Sequence, residues 1–174
     1  MDLCQRFAEF GGVVMRDAAL HGGDDVGAAQ ALDGDDEGEA EALLIVGIEL
    51  ADQRELFRAA LVEAGATVAD TPAAAVTQAD LVITMLEHGG VVGEVLFSTE
   101  LASAAPGLRP GTLVVDMSSI LPEQAQDHAR RLAALGVSEL DAPVSGGTLG
   151  AEAGTLAIMA GGEAADFERA REVL

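Results

Sequence analysis

The stretch Asp141-Ala-Pro-Val-Ser-Gly-Gly-Thr-Leu-Gly-Ala-Glu-Ala-Gly-Thr-Leu156 runs an apolar strand straight into a hydroxyl and two glycines. Such a turn can hold a carboxylate. Ser145 offers an O–H donor, and Gly146 and Gly147 lack a Cβ, so a ligand can approach their backbone N–H groups closely. Backbone donors converging in this way make an anion site without a basic side chain. The same Ser-Gly-Gly also reads as a strand-to-helix turn needed only for chain reversal.

Outward from this turn, β-type runs alternate with helical patterns. Val137 to Val144 is the strand that feeds the turn; Pro122 to Leu135 is the helix before it, with Ala125, Ala129, Leu132 and Leu135 on one stripe and Gly136 after its end. Further back come strand Thr112 to Met117, the turn Pro106 to Gly111, a helix around Val91 to Ala104 and strand Leu81 to Leu86. Thr71-Pro72 places a cap before a proline at the first helical position, opening a short helix from Ala73 to Gln78. Gln53 to Ala64 puts Leu56, Phe57, Ala60, Leu61 and Ala64 on one helical face, and Leu43 to Ile48 is a buried strand. Past the turn, Gly154 to Ala160 reads as a strand and Glu163 to Val173 as a helix. Strands alternating with helices of about a dozen residues predict right-handed crossovers and a mostly parallel sheet covered by helices on both faces, an α/β fold of three layers.

Residues 1 to 40 differ. Gly22-Gly-Asp-Asp25 and Asp33-Gly-Asp-Asp-Glu-Gly-Glu-Ala-Glu41 interrupt any apolar period, so this atypical acidic segment is expected to be disordered and residues 41 to 174 to form one domain. Phe7, Phe10, Val13, Val14 and Met15 fit either a short helix or a strand. With 174 residues and 49% hydrophobic content the chain can bury one sizeable core. No apolar run of about eighteen residues occurs, and Met1-Asp-Leu-Cys-Gln-Arg lacks the order of a signal peptide, so a soluble cytoplasmic protein is expected. The lone Cys4 can make no internal disulfide. A net charge of −21, from 30 acidic residues against nine basic ones, repels phosphate backbones and anionic membranes, so neither nucleic acid nor a membrane is an expected partner.

In order along the chain, Ala64-Gly-Ala-Thr-Val68, Ala79-Asp-Leu-Val-Ile-Thr-Met-Leu86, Val114-Val-Asp-Met-Ser-Ser-Ile-Leu-Pro122 and the Ser-Gly-Gly turn resemble the β-hydroxyacid dehydrogenase family. That family includes 3-hydroxyisobutyrate dehydrogenases and tartronate semialdehyde (2-hydroxy-3-oxopropionate) reductases and is related to 6-phosphogluconate dehydrogenase. The resemblance implies a Rossmann-like NAD(P)-binding domain over residues 41 to 174, with NAD or NADP as cofactor. It places the carboxylate of a small 3-hydroxy acid on Ser145, Gly146 and Gly147. It places the cofactor against Leu86, Glu87 and Ser119, with Glu87 standing where the family usually has proline. Read without the family, Ser118-Ser-Ile-Leu-Pro-Glu123 is a helix-start sequence.

Two departures limit what the resemblance carries. No Gly-x-Gly-x-x-Gly occurs, so the usual first strand and phosphate loop are expected to be missing before Ala42. Asp52 is placed like an acid that bonds an adenosine ribose, but is expected to be an exposed helix-start residue. The second departure is lysine. The family uses a lysine from a C-terminal helical domain to move the hydroxyl proton; this sequence contains no lysine, and that domain is expected to be absent. Arginine is too basic to replace it. His21, His88 and His128 read as ordinary surface residues, so no catalytic residue is assigned. No His, Cys, Asp and Glu group has metal-ligand spacing along the chain, and no metal is expected.

The expected function is therefore that of an NAD(P)-dependent oxidoreductase acting on a small 3-hydroxy acid or on tartronate semialdehyde, present here as an inactive fragment. It would assemble as a homo-oligomer if the helical domain were supplied. The alternatives are a non-catalytic nucleotide- or carboxylate-binding module, or a relative of the imine reductases.

Overall fold

The computed structural model describes residues 12–16, 19–20, 29–30, 42–47, 67–69, 71–99, 103–171 and 173–174. Its strands are β1 (Gly12–Arg16), β2 (Ala19–Leu20), β3 (Ala29–Gln30), β4 (Ala42–Gly47), β5 (Thr67–Val68), β6 (Leu81–Met85), β7 (Leu113–Asp116), β8 (Ser138–Asp141), β9 (Val144–Ser145) and β10 (Ala157–Ile158). Its helices are α1 (Pro72–Val76), α2 (Gly89–Phe97), α3 (Pro122–Ala133), α4 (Gly147–Glu152) and α5 (Ala164–Ala170), with a 3₁₀ turn at Ala105–Gly107.

A six-stranded sheet has the order β5-β1-β4-β6-β7-β8. The neighbours from β4 to β8 run parallel, while β1 is antiparallel to both β4 and β5. The α/β fold with a mostly parallel sheet is as the alternation of elements predicts. Within residues 1–40, β1 joins the main sheet and β2 pairs with β3 in a separate ribbon. Because β1 is antiparallel, it is not a first strand of the parallel βαβ kind. The helix expected over Gln53 to Ala64 lies outside the described residues.

Why the sheet sits between two layers follows from the period of two along its strands. Val82 and Val114 enter a core with Ala75 and Val76 of α1, Val92 and Leu96 of α2, and Leu132 of α3. The intervening Leu81, Ile83, Leu113, Val115 and Leu140 enter a second core with Ala170 of α5. Helices thus cover both faces.

Local signals set the helix ends. Thr71 accepts the Ala74 N–H at 3.1 Å ahead of Pro72, and His88 Nδ1 accepts the Val91 N–H at 3.3 Å to open α2. α2 stops at Phe97 rather than Ala104 because Ser98 leaves the helical region, with ψ 140°. α3 ends at Ala133, so Leu135 falls beyond the stripe and is 41% exposed. β8 ends at Asp141, not Val144, since Pro143 has no N–H to continue a ladder. The chain leaves the main sheet there and β9 pairs antiparallel with β10. The expected strand from Gly154 shrinks to β10, and the last helix to α5. Among the described residues, no helix is long and apolar enough to cross a membrane.

Candidate functional site

Strand order reverses between β4 and β6, and in open parallel sheets ligands bind outside the carboxyl ends of the strands at such a point. Leu86 and Glu87 follow β6 there; Ser118 and Ser119 follow β7. One buried carboxylate organises both loops. Asp116, the last residue of β7, is fully buried, and its Oδ1 accepts the Thr84 hydroxyl at 2.8 Å and the Ser118 N–H at 3.0 Å. Ser118 Oγ in turn accepts the Leu86 N–H at 2.9 Å. The two loops are therefore fixed to one another through Ser118, which is itself buried, while Ser119 and Glu87 project outward and are exposed. Reasoning from sequence singled out Ser119 for a role and passed over Ser118. The signal available was the pair of hydroxyls itself, one of which had to face inward.

Ser145, Gly146 and Gly147 lie beyond β8 on the same carboxyl side, in the segment joining β9 to α4 and β10. All three are exposed. Gly146 has φ 137° and Gly147 φ 56°, conformations that L side chains rarely adopt. A Cβ on Gly146 would also meet Leu156 Cδ2 at 3.1 Å, whereas one on Gly147 would meet open space. The strand-to-helix turn and the open approach to backbone are thus both present. The return strand holds it: Ala157 pairs with Ser145, and Met159 N–H donates to the Pro143 carbonyl at 3.0 Å.

Behind the rim, the same face of the sheet carries more acid than the sequence suggested. Glu139 and Asp141 flank Leu140, so alternation turns them to the side opposite its core, the side of Val114 and Asp116. His128 on α3 joins them. The expectation that His128 is a surface residue is wrong: it is 4% exposed, since it shares with Leu132, one turn on, the stripe that faces the sheet. Its ring lies 5.8 Å from that of Phe97, and the Arg131 guanidinium covers Phe97 at 3.7 Å. Burial raises the Asp116 pKa, opposed by hydrogen bonds from Ser118 and Thr84 and by the His128 charge. Burial lowers that of His128, against the attraction of Asp116. Glu139 is pushed up to about 8, by burial first and then by Asp116 and Asp141. Asp141 is raised by burial and by Asp116. His88 is the cap of α2, exposed and outside this group; His21 and Asp52 lie outside the described residues.

For a dinucleotide, the described residues fit the part of the ligand that meets the ends of β6 and β7. The Leu86 backbone is held at the crevice by Ser118, and the exposed Ser119 hydroxyl stands beside it in sequence. Among the described residues, none forms a Gly-rich phosphate loop.

Comparison with known proteins identifies the family of this domain. Residues 47–174 match the family described as the NAD binding domain of 6-phosphogluconate dehydrogenase. The 3-hydroxyisobutyrate dehydrogenase of Pseudomonas aeruginosa is 44% identical over 114 residues, which are 66% of this chain and 38% of that protein. The structure of Mycobacterium tuberculosis 3-hydroxyisobutyrate dehydrogenase with L-serine is similar at TM-score 0.60 and 40% identity, covering 67% of this chain and 38% of the other. An imine reductase variant from Myxococcus stipitatus in complex with NAD+ is similar at TM-score 0.58 and 28% identity, covering 66% and 38%. The chain thus spans about two fifths of the length of the curated relatives it matches. With the match reaching from the end of β4 through the Asp116 rim to the Ser-Gly-Gly turn, the chain belongs to the family of the NAD-binding domain of 6-phosphogluconate dehydrogenase.

Proposed function

We propose that this chain is the nicotinamide-dinucleotide-binding part of a β-hydroxyacid dehydrogenase, the cofactor being NAD or NADP. The observation that carries the reading is the rim in which Asp116 fixes Ser118, and Ser118 fixes the Leu86 amide, at the switch point of the sheet. In this reading the Leu86 and Glu87 backbone and the Ser119 hydroxyl border the nicotinamide ribose. Ser145, with the N–H groups of Gly146 and Gly147, receives the carboxylate of a small 3-hydroxy acid. The cofactor, when bound, supplies the hydride acceptor or donor; the residues named here position substrate and cofactor and do not move the proton. That step needs a general acid or base near neutrality. The sequence has no lysine, and behind the rim Asp116 and His128 are buried while Glu139 and Asp141 are half-buried.

The chain alone is therefore expected to bind dinucleotide weakly and to turn nothing over. Loss of a general acid or base costs about two to four orders of magnitude in rate, and loss of groups that position the reactants adds to this. The test follows reduced-nicotinamide absorbance with hydroxyisobutyrate, glycerate and tartronate semialdehyde, alongside a fluorescence titration with NADH and NADPH. Turnover near one per second, an ordinary enzyme rate, would refute the assignment of these residues to positioning alone. Absence of any dinucleotide binding would favour a module that retains the sheet and binds only a carboxylate. A location in the cytoplasm and assembly with further copies belong to this reading as well.

A further inference from the structure

We propose that Asp116, His128 and Glu139 form a binding site for one divalent transition-metal ion, of the zinc or manganese class, between β7, β8 and α3. One donor atom from each of the three lies within 4.8 Å of the others. Ligands bonded to zinc at about 2.0–2.2 Å stand about 3–3.5 Å apart, so a small movement of the flexible Glu139 chain closes the set. Asp116 is fully buried and His128 is 4% exposed, yet Asp116 Oδ2, His128 Nδ1 and both Glu139 carboxylate oxygens have no hydrogen-bond partner. Buried polar atoms almost always have one. The neighbouring Asp141 Oδ1 is unpartnered too, and three residues with unpartnered atoms and converging donors ask for one shared cation.

Among the described residues, no arginine hydrogen-bonds to these atoms. The sequence has no lysine, and Arg131 is engaged with the Phe97 ring at 3.7 Å and with Asp127 at 3.8 Å. Two carboxylates would balance a doubly charged ion, and an imidazole with oxygen donors suits zinc, manganese or cobalt rather than a thiolate-seeking ion. Asp116 would then hold the rim through Oδ1 and the ion through Oδ2, which ties the ion to the geometry of the Ser118 and Leu86 loops. The rival is a proton shared between the two carboxyls, which leaves the His128 nitrogen without a partner.

The test is titration of the full chain, after chelation, with Zn2+, Mn2+ or Co2+. It is read by calorimetry, by thermal unfolding and, for Co2+, by visible absorption. The expected result is one ion per chain, an unfolding temperature several degrees higher, and d–d bands that report nitrogen and oxygen ligands. Glu139→Gln should abolish the shift and the bands while leaving the circular dichroism of the fold. His128→Gln should do the same, so the result does not depend on Asp116→Asn folding. Three outcomes would overturn the site: no ion bound, a thermal shift that survives both substitutions, or uptake of several weak ions unaffected by them. The last is what a chain of net charge −21 would show through its surface alone.

Discussion

Ser118→Ala separates the architecture of the rim from its chemistry. The Ser118 hydroxyl is the acceptor for the Leu86 N–H at 2.9 Å, and both residues are buried, at 2% and 7% exposure. Water cannot easily replace it. Leaving a buried donor without its partner costs about 1–3 kcal/mol. At about 2–4 °C per kcal/mol for a chain of this size, the unfolding temperature should fall by about 2–12 °C. The upper part of that range is expected, because the same hydroxyl also stabilises the Asp116 carboxylate. Ser119→Ala is the control. Its side chain is exposed, so unfolding should move by less than about 0.5 kcal/mol, while NADH affinity falls if that hydroxyl borders the ribose. Amide hydrogen exchange read at Leu86 gives the residue-level answer: protection should drop in Ser118→Ala and stay unchanged in Ser119→Ala. An unfolding temperature for Ser118→Ala equal to that of the parent, with Leu86 still protected, would refute the argument that this hydroxyl fixes the two loops.

Four further outcomes can be checked by unfolding measurements. Gly146→Ala should destabilise by about 1–3 kcal/mol, through the φ of 137° and the contact with Leu156. Gly147→Asn, at φ 56° with open space, should be tolerated in denaturant unfolding. In chelator-treated protein, Glu139 holds its proton up to about pH 8 when folded, against an ordinary value of 4.5. The folded state then binds more protons than the unfolded state between those values, so this contribution is complete below pH 4.5, declines as pH rises and is gone above 8. Glu139→Gln should flatten that part of the stability–pH profile, and an unchanged slope would contradict the burial of this carboxyl. Leu96→Ala, at a fully buried position in the core under α2, should cost about 2–5 kcal/mol in urea unfolding.

The parallel half of the sheet was legible because β6 and β7 are short apolar runs between strong breakers, and Thr71-Pro72 announces its helix without tertiary help. The break in the strand before Ser145 was not read, although Pro143 is the residue that causes it. An apolar run looked like one strand when it was an edge strand followed by a crossing to another ribbon. Nor did the sequence expose the acidic group under α3. Ser138-Glu-Leu-Asp141 alternates polar and apolar residues as a half-solvated strand would, and only the placement of α3 over the polar side half-buries Glu139 and Asp141. His128 was misread for the same cause: a polar residue on an amphipathic helix is assigned outward unless its neighbours across the sheet are known. The antiparallel pairing of β1 has no local signature, since strand direction depends on the path between strands.

Glycine at 161 bears on the behaviour of the protein at high concentration. β8 ends the main sheet, and a bare edge strand is a template for pairing with another molecule. At its carboxyl end the chain returns and forms a two-way bridge, in which Asp141 N–H donates to the Gly161 carbonyl at 3.0 Å and Gly161 N–H to that of Asp141 at 2.7 Å. The next residue, Gly162, passes so close to Leu140 that a Cβ there would strike its side chain. This narrow strap occupies the ladder groups that a second copy would need to extend the sheet from that end. Together with the mutual repulsion of chains carrying −21, it guards against edge-to-edge aggregation, and opening the strap would be expected to reveal a fibril-forming edge before it unfolds the core.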